Sequence, residues 1–178
     1  MYKIGDYVVY GGEGVCKVLD IGEPAISGVN QKKTYYTLAP VFRGGKIYTP
    51  VDTTVVMRPV MTYDEAMALI RKMPEIEGEI YNNSKTTMLS QHYKSYIDTY
   101  DCVGLVQVIK SVYLKRQAAI QNKKRLGQVD ERYMKRAEDM LYGEFAVVLD
   151  IPREEVKGFI EREVEKLGLE ETADGEAV

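Results

Sequence analysis

Nine basic side chains fall between residues 101 and 143, against five acidic ones, for a local net charge of +4. Lys110, Lys115 and Arg116 lie in one helical pattern. Lys123, Lys124 and Arg125 follow it, and Arg132, Lys135 and Arg136 open the next pattern. Contact with phosphate needs several flexible cations on one surface and sets no geometric code. The same charges could also serve a solvated helix hairpin, balanced by Asp130, Glu131, Glu138 and Asp139. Residues 144–178 reverse the sign, with four basic and eleven acidic side chains, net −7. The whole chain carries −3, which argues against a nucleic-acid binder that acts alone.

No set of residues suits catalysis. Signatures such as GxSxG, a phosphate-binding P-loop, HExxH and CxxC are absent from the sequence. Gly44-Gly45-Lys46 lacks the upstream glycine and the following Ser or Thr of a phosphate loop, and suits a hairpin turn. Glu75, Glu77 and Glu79 form an acidic run after Pro74 with no apolar surround to shift them, so a solvated loop is expected. The single histidine, His92, has no second His or Cys nearby to share a metal. We therefore expect no enzyme, no cofactor, no metal and no small-molecule substrate. Cys16 and Cys102 are far apart and flanked by apolar residues, so free buried thiols are expected.

The elements that must position the cations come in two kinds. Up to residue 60, short β-rich runs alternate with Gly and Pro, and strands are expected at 6–10, 15–21, 33–38, 46–49 and 53–57. This spacing predicts a small, strongly bent antiparallel sheet or barrel. From Thr62 the period becomes helical, opening on the capping box Thr62-Tyr63-Asp64-Glu65. Helices are expected at about 62–72, 84–99 and 101–122, then from an Asp130 N-cap, and from Pro152 to a stop at Gly168. The division is thus 1–60 for the β-domain, 61–169 for a helical bundle, and 170–178 for an acidic, disordered tail. No apolar run approaches the roughly 18 residues of a membrane span. The start, Met1-Tyr2-Lys3-Ile4-Gly5-Asp6, lacks a signal peptide's apolar stretch, so a cytoplasmic protein without membrane partners is expected.

The opening Gly5-Asp6-Tyr7-Val8-Val9-Tyr10, the Gly14-Val15 that follows, and Lys46-Ile47-Tyr48-Thr49-Pro50-Val51 resemble the CarD/CdnL family of bacterial transcription regulators. They also resemble the polymerase-interacting domain of transcription-repair coupling factors. Beyond residue 60 the chain resembles the CarD helical domain, with Tyr93-Lys94 and the segment from Arg132 through Leu141 to Gly143-Glu144-Phe145. The resemblance implies an α+β protein: an N-terminal Tudor/SH3-like small β-barrel followed by an α-helical bundle. It implies that the barrel binds the RNA polymerase β subunit, here through Lys46, Ile47, Tyr48, Thr49 and Pro50. It also implies that the helices touch promoter DNA at the upstream edge of the bubble.

Family members carry a tryptophan that wedges into the minor groove, and this chain has none. Alignment on Tyr93-Lys94 puts Leu89 at that position, with Gln91 and His92 where basic residues usually follow. From spacing alone Leu89 also suits the core of its helix. The expected DNA contacts are Leu89, His92, Lys94, Lys123, Lys124, Arg125, Arg132 and Arg136. The expected function is to alter the stability of the open promoter complex. The alternative is a protein–protein adaptor that binds polymerase without touching DNA.

Overall fold

The turn Gly11-Gly12-Glu13-Gly14 folds strand β1 (Tyr7–Tyr10) back on β2 (Val15–Gly22) in the computed structural model, which describes residues 1–30 and 32–175, with side chains to residue 170. Gly11 takes φ +45°, and a Cβ there would meet the Val55 side chain at 2.9 Å, so the turn needs glycine at this point. β3 (Tyr35–Pro40), β4 (Ile47–Pro50) and the short β5 (Met57–Pro59) complete an antiparallel sheet in the order β4-β3-β2-β1-β5. A register shift between Val18 and Asp20 bends β2 against β3. Val8, Tyr10, Cys16, Val18, Tyr36 and Leu38 form its core, with Ile47, Val51 and Met57 packed against it. Their period of two follows from the pleat, which turns alternate side chains to one face.

The sheet is bent but open, which corrects the expected barrel. β4 and β5 are its two edges and do not pair with each other. Residues 53–56 form no strand, Val55 and Val56 are exposed, and pairing with β1 begins only at Met57.

The chain divides at residue 61 into two compact units. Among the described residues the second holds five α-helices: α1 (Tyr63–Lys72), α2 (Thr86–Ile97), α3 (Cys102–Gln121), α4 (Gln128–Leu149) and α5 (Arg153–Gly175). The predicted capping box opens α1, with Glu65 N–H donating to Thr62 Oγ1 at 3.2 Å and Thr62 N–H to Glu65 Oε2 at 2.7 Å. Asp101 caps α3 through Val103 N–H at 3.0 Å. The β-branched centre of α3 is helical because Leu105, Val108 and Val112 bury one stripe. Gly104 lets α3 approach the end of α2, where a Cβ would sit 2.6 Å from the Tyr96 carbonyl oxygen. Tyr93, Ile97, Tyr133, Ala137, Leu141 and Phe145 fill the bundle core from α2 and α4.

Two boundaries differ from expectation. α4 begins at Gln128 with Gly127 as its N-cap, and Asp130 lies inside the first turn. α5 runs through Gly168 to Gly175, so 170–175 of the expected tail are helical in backbone. Residues 176–178 lie outside the described residues. A lone glycine costs a helix only about 1 kcal/mol relative to alanine, which is not enough to end one. No helix among the described residues is long and apolar enough to cross a membrane.

Candidate functional site

Each unit presents one surface that could meet a partner. In the β unit it is the edge of β4. Val51 N–H donates to the Thr34 carbonyl at 3.0 Å, and residues 47 and 49 stand opposite Leu38 and Tyr36. Antiparallel pairs alternate in the direction of their main-chain groups. The N–H and C=O of Ile47 and Thr49 therefore face β3, and those of Tyr48 face outward along an open edge. Pro50, the next outward position, has a carbonyl but no N–H.

The side chains divide the same way. Lys46 and Tyr48 are exposed. Ile47 packs against the sheet core. Thr49 is buried and accepts a 3.0 Å hydrogen bond from the Tyr10 hydroxyl. Of the five expected contact residues, Lys46, Tyr48 and Pro50 remain on the accessible edge. The side chains of Ile47 and Thr49 hold the strand in place.

In the helical unit the candidate cations separate into three groups. Lys123, Lys124 and Arg125 are exposed on the turn between α3 and α4. Lys94 of α2 and Arg132 of α4 line one shallow groove of about 450 Å³ with Thr86, Thr87, Ser90, Gln91 and Val129. The Arg132 guanidinium lies 5.2 Å from the Tyr133 ring centroid, and Arg136 is half-buried one turn further on. Lys110 and Lys115, in contrast, turn inward. Lys110 Nζ donates to the carbonyls of Met73 and Ile76, the latter at 2.6 Å. Burial holds its pKa below the ordinary lysine value, while nearby Glu77 works the other way. Lys115 Nζ donates to Asp130 Oδ1 at 2.9 Å and to the Tyr81 carbonyl at 3.1 Å.

Asp130 is 3% exposed. It also accepts the Tyr93 hydroxyl at 2.5 Å, which joins α2, α3 and α4 at one carboxylate. Burial first, and Asp130 second, push the Tyr93 pKa far above its ordinary value. Sequence reading missed this network by treating Asp130 as a cap. The signal was present: Asp130 lies three, four and seven residues before Tyr133, Met134 and Ala137, on the buried stripe itself.

Two expected DNA contacts are packed within the helical unit. Leu89 is 6% exposed in the bundle core, so it is not an exposed wedge; the exposed apolar neighbour is Met88. Helical spacing accounts for this, because Leu89 shares a face with the buried Tyr93 and Ile97. His92 is half-buried, stacked on Tyr81 at 4.0 Å between centroids and edge-on to Tyr93 and Tyr96. Burial lowers its pKa below 6.5, Glu79 opposes the shift, and Lys115 adds to it. Burial thus favours its neutral form, which works against a charged contact with phosphate.

The depressed histidine predicts a pH effect with a definite sign. As pH falls below 6.5 the unfolded chain takes up this proton before the folded chain does. The stability that His92 contributes is present above 6.5 and is lost as pH falls through the folded value. Urea midpoints at about pH 7.5 and about pH 5 should differ more for the wild type than for His92→Gln. Equal pH sensitivity in the two proteins would contradict the assignment.

Residues 2–61 match the family model of the CarD-like/TRCF RID domain, in keeping with the resemblance read from the opening residues. This family is a protein-interaction domain rather than a catalytic one, and it supports a polymerase-binding role in transcription. No curated protein matches the chain.

Proposed function

We propose that this chain, with its CarD-like/TRCF RID domain at residues 2–61, is a bacterial transcription regulator that docks on the RNA polymerase β subunit and touches promoter DNA through its helical unit. The observation that carries the reading is the open edge of β4 within the matched domain, where Tyr48 turns its main-chain donor and acceptor outward. An added strand gains affinity from main-chain hydrogen bonds and specificity from alternate side chains, here Lys46 and Tyr48. Once the chain is tethered, promoter DNA stands at high effective concentration. Weak phosphate contacts from Lys94, Lys123, Lys124, Arg125, Arg132 and Arg136 then suffice to alter the lifetime of the open complex. The burial of Leu89 and the stacking of His92 on Tyr81 suit packing better than DNA contact and favour the second reading, an adaptor that binds polymerase and another protein without touching DNA.

The test is main-chain chemistry at one residue. Tyr48→Pro deletes the outward N–H without touching the β3 ladder, whereas Tyr48→Ala deletes only the ring. The proline variant should bind purified polymerase, and its isolated β subunit, at least about tenfold more weakly, with the alanine variant in between. A folded Tyr48→Pro protein that binds as the wild type does would rule out this edge as the contact.

A further inference from the structure

We propose that the cleft where α2 and α4 begin binds a free nucleoside phosphate whose base carries an exocyclic amino group. Asp130 Oδ2 accepts from that amino group, and Lys94 and Arg132 hold the phosphates. The inference goes beyond polymerase docking and DNA contact, and the binding it describes depends on neither.

The cleft is two grooves, of about 580 and about 450 Å³, that share Thr86 and Val129 as walls. Both volumes lie within the roughly 300–1,000 Å³ that small-molecule sites occupy. The larger groove is lined at its floor by Asp130, which is 3% exposed. Its two partners, the Tyr93 hydroxyl and the Lys115 ammonium, both reach Oδ1. Oδ2 accepts no hydrogen bond among the described residues. Yet no buried side-chain oxygen among those residues lacks a partner, so Oδ2 opens on the groove rather than into the packed bundle. Gly127, which has no side chain, leaves that approach free: a Cβ there would stand 3.1 Å from Oδ2. A carboxylate oxygen in so buried a residue calls for a donor.

The surroundings of Oδ2 select that donor. Leu89 and Val129 give the groove an apolar wall, and Lys115 balances the charge of Asp130 beneath it. A flat, neutral ring with a polar edge fits such walls, and an amino group on a base edge pairs well with a carboxylate. The side chains of Asn82, Ser84, Thr86 and Gln128 line the same groove and form no hydrogen bond among the described residues, which leaves amides and hydroxyls for a sugar. The adjoining groove has the other character. Its lining holds Lys94 and Arg132 and no acidic residue, and neither cation forms an ion pair among the described residues. Thr86 and Thr87 open α2 there without a side-chain cap, so free N–H groups add to the cations. One acceptor beside one cationic groove takes one base and one phosphate chain, so a single nucleotide fills the cleft.

The test is calorimetric titration of the full chain at low salt, without polymerase or DNA. ATP should bind at least about threefold more tightly than UTP, which lacks the amino group, and than inorganic triphosphate. Gly127→Ala, at an exposed N-cap with φ −70°, sets a methyl group beside Oδ2 and leaves the Lys115–Asp130 pair in place. It should weaken ATP by about three- to tenfold and leave UTP and triphosphate as they were. Should that variant fail to fold, the ratio of ATP to UTP affinity in the wild type decides the same point. Lys94→Glu with Arg132→Glu should weaken all three ligands alike. Equal binding of ATP, UTP and triphosphate, unmoved by Gly127→Ala, would make this an anion site with no base pocket and overturn the proposal. A short single-stranded oligonucleotide that binds where no mononucleotide does would overturn it too, as would a cleft that takes neither. None of these results bears on the β4 edge, which Tyr48→Pro tests separately.

Discussion

Asp130→Ala is expected to destabilise the helical unit by about 3–5 kcal/mol, read as a shift in its urea midpoint. The reason is what it leaves behind. The Lys115 ammonium, mostly buried and 2.9 Å from the carboxylate, would keep its charge and lose its partner. The Tyr93 hydroxyl would lose its acceptor at the same time. Asp130→Asn should be milder, since the amide still accepts from Tyr93 while the charge goes unmatched. The double replacement Asp130→Leu with Lys115→Met should recover most of the loss, because the penalty belongs to the unpaired charge rather than to the missing bond. A stable Asp130→Ala, or a double variant no better than the single, would show that the network is not a support of the bundle.

The second large effect is Leu89→Ala, with an expected loss of about 2–5 kcal/mol from removed burial and the cavity left behind. The same stability assay on Ile120→Ser, at a side chain 61% exposed near the end of α3, should move by no more than about 0.5 kcal/mol, as for other exposed positions. A Leu89→Ala protein with an unchanged midpoint would return that residue to the surface and reopen its role as the wedge.

Leu89 also shows what the sequence could and could not say. Its spacing with Tyr93 and Ile97 already matched a buried helix face, and only alignment to a family pattern drew it outward. Local signals read well: the Thr62–Glu65 box, and the Gly and Pro residues that separate the short β-rich runs, act within a few residues of themselves. What failed depends on distant partners. Whether the two edge strands meet depends on residues far apart in the chain, and no local propensity says that Val55 and Val56, both good strand formers, stay in a loop. Asp130 is a good cap by residue type, but Lys115 and Tyr93 bind it inside α4. Lys110 and Lys115 read as surface charge because nothing nearby in sequence shows the carbonyls and the carboxylate that accept their hydrogen bonds. The strand around Tyr48 was legible, but the direction of each main-chain group required the register.

That register limits how the molecule can go wrong. An uncovered strand edge invites any extended peptide, including a second copy of itself, and long flat edges seed aggregates. Here the uncovered length is short. β4 has four residues, and the one outward position that offers both donor and acceptor, Tyr48, sits between a lysine and a proline. Lysine disfavours stacking of like chains through its charge, and proline halts the ladder for want of a hydrogen. An edge of this length and composition is a poor template for endless growth.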